Sequence, residues 1–337
     1  MGAKRQASAL AALVLLSAGP ALPSAGAADL SALFAKKDVT IAVTDSGLGG
    51  LSIMAEAAAR MKTAGLFRSV KLVFYNALFA NDSGYNSLRD RERKIAVFSR
   101  ALEGLEKRVR PDLILVGCNT LSVITAETPF AKRTRTPILD IVGPGVELVA
   151  KALSGDPRST AVILGTETTT GEGEHARRLE ALGFGPSRVV IQACPELANF
   201  IENGPGSDET GLLIESFVDD ALSRVPDKTA PLLLSLNCTH YGYALPLWDK
   251  ALRARGIGSF VILNPNGRML DPLFPPKAEK KFAATAVRAS VVSMVGIEKR
   301  KIEALGAWLK TVSPEVAAAL ANYELVPDLF EWKDLVK

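Results

Sequence analysis

The chain predicts an α/β fold in two similar lobes, each a mostly parallel sheet flanked by helices, with a ligand cleft between them. Three observations carry this. Short apolar, β-branched runs alternate with helical stretches, at an interval that suits parallel sheets covered on both faces. The alternation restarts after Gly143-Pro144-Gly145. Two of the strands also end alike: Leu113 to Val116 leads into Gly117-Cys118-Asn119-Thr120, and Leu232 to Leu236 into Asn237-Cys238-Thr239-His240-Tyr241. Ligands bind at strand ends in open α/β sheets. The repeat therefore suggests two thiols facing each other across the cleft.

Taken in order, the chain begins with the anatomy of an export leader. Lys4 and Arg5 precede a mostly apolar stretch from Ala9 to Ala18, and Ala25-Gly26-Ala27 offers a small-residue cleavage site. That stretch is too short to span a bilayer, and Gly19, Pro20 and Pro23 break it. Removal of residues 1–27 and a periplasmic or secreted mature chain, free of the membrane, are expected. Val39 to Thr44 is the first strand, running into Asp45-Ser46-Gly47-Leu48-Gly49-Gly50 and an alanine-rich helix that ends near Gly65. Such a glycine-rich turn presents N–H groups to an anion. Its spacing fits neither a dinucleotide fingerprint nor a Walker loop. Val70 to Tyr75 is the second strand, followed by the polar loop 81–87 and a charged helix over about Leu88 to Val109.

After Pro137 to Val142 the plan recurs. Ala161 to Leu164 enters Gly165-Thr166-Glu167-Thr168-Thr169-Thr170-Gly171, a hydroxyl-rich counterpart of the first turn. Val189 to Ala193 enters Cys194-Pro195-Glu196 and a helix holding Glu202, and Ser207 caps a helix over about Glu209 to Ser223. Phe260 to Leu263, Ser290 to Val295 and two terminal helices complete the chain. The first lobe is read as 38–140 plus 247–337 and the second as 141–246, close-packed because no low-complexity linker separates them.

Composition narrows the chemistry. A chain of 337 residues with 48% hydrophobic content can bury a sizeable core, and a net charge of +4 with no basic, aromatic-interleaved stripe gives nucleic-acid binding no support. Three cysteines at wide spacing do not make a disulfide framework. With only two histidines and no C-x-x-C, a metal site is not expected. A cysteine hydrolase would leave the second, equivalent cysteine unexplained. Two opposed thiols do suit the inversion of a carbon acid, which needs a base on one face and an acid on the other. Cys194, followed by Pro195, reads as a packed small residue, and His175, in the charged helix Glu172 to Glu180, as exposed.

Four co-linear stretches, Asp45 to Gly50, Cys118-Asn119-Thr120, Ala193-Cys194-Pro195 with Glu202, and Cys238-Thr239-His240-Tyr241, resemble the bacterial glutamate racemases of the cofactor-independent aspartate/glutamate racemase superfamily. The resemblance runs from about Val39 to Leu309. It implies two pseudo-symmetric lobes around an amino-acid substrate, with neither pyridoxal phosphate nor metal. It makes Cys118 and Cys238 the two acid/bases, the second facing the L-enantiomer, with Asp45 assisting Cys118, His240 assisting Cys238 and Glu202 orienting the histidine. Ser46, Asn119, Thr120 and Thr239 would hold the substrate's amino and carboxylate groups, with Thr166 and Thr169 beside them. Asp45 also has a plainer reading as the cap of its turn, and Glu202 as a solvated carboxylate.

Two departures bear on the substrate. The family usually carries Pro-Tyr-Gly after the second strand; here the loop reads Asp82-Ser83-Gly84, keeping Gly84 at the pocket and losing the ring. That loop lines the pocket, so the loss bears on the preference for glutamate and not on the inversion chemistry; glutamate stands first, with aspartate or a broader range behind it. The export leader is the second departure, since supplying wall precursors is a cytoplasmic task. It also leaves a periplasmic amino-acid-binding protein as the rival of another class, and related isomerisations as a third reading. A homodimer is the assembly the family's habit suggests.

Overall fold

The computed structural model of the protein describes residues 29–81 and 83–336; the leader expected at Met1–Ala27 lies outside them, as does Asp82. Ten strands occur among the described residues: β1 Asp38–Asp45, β2 Ser69–Asn76, β3 Leu113–Val116, β4 Ile138–Asp140, β5 Thr160–Gly165, β6 Val189–Ala193, β7 Leu232–Asn237, β8 Phe260–Leu263, β9 Ala286–Ser293 and β10 Glu324–Leu325. They form two wholly parallel sheets, ordered β10-β9-β2-β1-β3-β4 and β6-β5-β7-β8. The strand order reverses at β1 in the first sheet and at β5 in the second. Neighbouring loops diverge there and leave a crevice at the carboxyl ends of the strands.

The expected return to the first lobe after residue 246 comes too early. The Leu245–Ala254 helix crosses over to β8, which pairs with β7 from Leu232↔Phe260 to Ser235↔Leu263, so the second sheet continues to Leu263. The first sheet is rejoined only at β9.

Why the lobes pack closely follows from side-chain placement. Leu51–Ala64 is a helix of small and apolar residues, ended by Gly65 in the left-handed conformation. Its buried Leu51, Ile53, Met54 and Met61 belong to one apolar cluster that also takes in Leu197, Ile201, Leu234, Leu236, Trp248 and Leu305. That cluster spans both sheets. A second cluster lies on the other face of the first sheet and a third on the other face of the second. β7 divides accordingly: Leu232, Leu234 and Leu236 face the shared core, while Leu233 faces the Val142–Gly155 helix. No described helix is long and apolar enough to cross a membrane.

Candidate active site

The turn after β1 reaches into the second lobe because it lacks side chains where the two backbones meet. A Cβ at Gly49 would lie 2.3 Å from Thr239 Oγ1 and 2.8 Å from the His240 backbone nitrogen, and one at Gly47 would lie 2.9 Å from Glu202 Oε1. Close approach of this kind is what glycine permits. The contact is then fastened by polar bonds. Thr239 Oγ1 donates to Asp45 Oδ2 at 2.8 Å, Leu48 N to Glu202 Oε1 at 2.8 Å, and the Tyr243 hydroxyl to the Leu48 carbonyl at 3.2 Å.

Cys118 ends the β3 loop at the N-cap of the short Asn119–Thr125 helix, and Cys238 follows β7 directly. All three cysteines are free and buried. Cys118 Sγ lies 3.2 Å from Ser46 Oγ. Asp45 does cap its turn, accepting from Gly50 N at 2.6 Å, but it also stands beside Cys118. Burial, with the Asp45 carboxyl next to it, pushes the Cys118 thiol well above its usual range, and burial likewise pushes Asp45 up. This half of the site holds its protons tightly.

The Cys238 half is arranged the other way. Cys238 Sγ lies 3.6 Å from His240 Nδ1, and His240 Nε2 lies 2.8 Å from Glu202 Oε1. Burial works against a charge on the imidazole, yet the bonds to Cys238 and Glu202 raise it well above its ordinary value. Glu202 is buried rather than solvated. Burial resists its ionisation, but His240 and Lys301 bring it down to about 2. Lys301 Nζ, from the Lys299–Val312 helix, donates to Glu202 Oε2 at 2.9 Å. Nothing in the local sequence marked that lysine.

Three of the hydroxyl residues meet where the two lobes face each other. Thr120 Oγ1 and Thr166 Oγ1 are 2.8 Å apart across the lobes, and Thr166 donates to Thr169 Oγ1 at 3.0 Å. Asn119 is buried, and neither atom of its amide finds a partner among the described residues. Gly84 is half-buried in its loop, with Leu78 the nearest neighbour to its open side. The ring missing from the family's Pro-Tyr-Gly has a neighbour in kind: Tyr85 is buried, edge-on to Phe79 and Phe98, its hydroxyl unpartnered among the described residues. Cys194 is packed, as read. His175 is not exposed. Gly173, in the left-handed conformation, breaks the expected helix, and the Glu174–Ala181 segment turns His175 inward beside Leu179.

No family model matches the sequence. Curated relatives do: a glutamate racemase from Pseudomonas putida is 30% identical over 223 residues, 63% of this chain and 73% of that protein. One from Aquifex pyrophilus is 27% identical over 214 residues, 63% of this chain and 74% of that protein. Among solved structures, a glutamate racemase from Bacillus anthracis superposes with a TM-score of 0.62 at 19% identity, covering 82% of this chain and 96% of that one. The Francisella tularensis glutamate racemase in complex with D-glutamate gives 0.59 at 19% identity, covering 82% and 95%. At such identities the structural likeness speaks for the fold. With the relatives it defines an isomerase, an amino-acid racemase on two parallel α/β lobes. The chain belongs to the glutamate racemase family.

Proposed function

We propose that the protein interconverts L- and D-glutamate without a cofactor, with Cys118 and Cys238 working on opposite faces of the α-carbon. The observation that carries the mechanism is the pairing of each thiol with an ionisable partner of its own: Asp45 beside Cys118, and His240 backed by Glu202 beside Cys238. In the L-to-D direction the Cys238 sulfur, facing an imidazolium, takes the α-proton as the C–H bond breaks. The Cys118 thiol then gives its proton to the other face. The tightly held proton on Cys118 leaves the resting site set for L-glutamate. An orphaned buried amide costs about 1–3 kcal/mol; a substrate carboxylate would accept from Asn119 Nδ2, and its ammonium would donate to Asn119 Oδ1. Ser46, Thr120, Thr166, Thr169, Thr239 and the Gly84 loop would complete the pocket.

The test uses reduced protein lacking residues 1–27, incubated in deuterated water with L-glutamate, L-aspartate and a mixed amino-acid panel. Inversion of glutamate with one deuterium at the α-carbon is expected. Inversion of aspartate alone would move the substrate, and exchange with no amino acid would overturn the chemistry. We also propose export, which rests on the Lys4-Arg5 start, the apolar stretch and Ala25-Gly26-Ala27. Recovery of a periplasmic form beginning at Ala28 is expected; a cytoplasmic protein retaining Met1 would end that idea.

A further inference from the structure

We propose that Lys301 is a positioning residue: by holding and charge-balancing Glu202 it governs proton transfer at Cys238. This rests on the two-thiol reading above.

Three segments far apart in the sequence meet in one line. Lys301 Nζ lies 2.9 Å from Glu202 Oε2, Glu202 Oε1 lies 2.8 Å from His240 Nε2, and His240 Nδ1 lies 3.6 Å from Cys238 Sγ. Both ends of the lysine–carboxylate pair are shielded, with side-chain exposures of 19% and 10%. Each carboxylate oxygen is taken: Leu48 N and His240 share Oε1, and Lys301 holds Oε2. Asn199 Oδ1 accepts from the same ammonium at 3.2 Å, which fixes it over Glu202.

The charge arrangement gives the lysine its effect. A buried carboxylate beside a single imidazole would bind that ring's proton very firmly. With an ammonium on its second oxygen, the carboxylate is partly neutralised, and the imidazolium is held less tightly. The other groups facing this pair are Cys238 on the Nδ1 side, the Asp45 carboxyl within electrostatic reach of the ring, and the Tyr243 phenol near Glu202. None is a cation, so Lys301 supplies the balancing positive charge. Removing it leaves His240 against an uncompensated carboxylate. The imidazolium then persists to higher pH, and the uncompensated carboxylate works against the negative charge that develops at the α-carbon as its proton leaves.

The experiment compares the parent with Lys301→Met, Lys301→Gln and Lys301→Arg in the full chain, using chiral assays of glutamate across pH. For Met and Gln the basic limb of the kcat/KM profile is expected to move up by about one unit, and kcat to fall about tenfold. Arg should restore both. Gln keeps a donor without the charge, so it separates electrostatics from hydrogen bonding and stands in if the Met variant does not fold. A lysine that merely braced the helix would lower kcat or stability and leave the limbs where they were. Unmoved limbs in Met and Gln therefore overturn the inference while the racemase reading stands. A parent that racemises nothing overturns both.

Discussion

Cys118→Ala and Cys238→Ala are each expected to lose racemisation by about 10²–10⁴-fold, the range a positioned acid or base contributes, with substrate binding changed little. The two losses should differ in kind. With Cys118 gone, Cys238 can still remove the α-proton of L-glutamate and return a solvent deuteron to the same face, so L-glutamate should exchange without inverting. With Cys238 gone, the remaining thiol faces the D-enantiomer, and exchange should move to D-glutamate. Mass and chiral analysis in deuterated water read both effects at once. Full turnover in either variant would sink the two-base mechanism. Equal exchange of both enantiomers by a single variant would sink the assignment of faces.

The second large effect concerns stability. His175 is buried, and both its ring nitrogens lack a partner among the described residues. Burial, helped by the Arg178 charge and opposed by Glu174, lowers its pKa from 6.5 to about 4. The folded protein therefore refuses a proton that the unfolded chain accepts below pH 6.5. The sign is that of a depressed histidine: the stabilisation is complete above pH 6.5 and is lost as pH falls toward 4. The loss amounts to about 3 kcal/mol, at 1.36 kcal/mol per unit. Replacing the ring by phenylalanine keeps much of the volume and removes the titration. Urea unfolding of the parent and of His175→Phe at pH 7.5 and 4.5 is expected to show the parent losing more stability on acidification. Parallel losses in the two proteins would contradict a buried, neutral His175.

How much of this was legible in the sequence depends on whether the cause was local. The strands, the Gly49 turn and the two cysteines lie in contiguous stretches whose apolar runs, glycines and caps act over a few residues, and these could be read directly. Ser207, for example, caps the Asp208–Ser223 helix by accepting from Thr210 N. Glu202 had two readings, and only its neighbours decide between them: a carboxylate on a short helix is solvated or buried according to what packs over it, here Leu48 and Lys301. Lys301 lies 99 residues from the carboxylate it serves, and a lysine in Glu298-Lys299-Arg300-Lys301 looks like any solvated basic run. His175 misled for the opposite reason. Its neighbours Glu174, Arg177 and Arg178 pair among themselves on the outside of the segment, which leaves the imidazole as its inward face. β8 carried an apolar pattern that either sheet could have used, and only its pairing with β7 assigns it.

The bonds between Thr239 and Asp45, and between Leu48 and Glu202, tie each half of the chemistry to the opposite lobe. Each thiol keeps its own partners within one lobe, Ser46 and Asp45 for Cys118 and His240 with Glu202 for Cys238, so the cross-lobe bonds set the spacing between the two halves. For two thiols to work on one α-carbon, that spacing decides which amino acids fit between them.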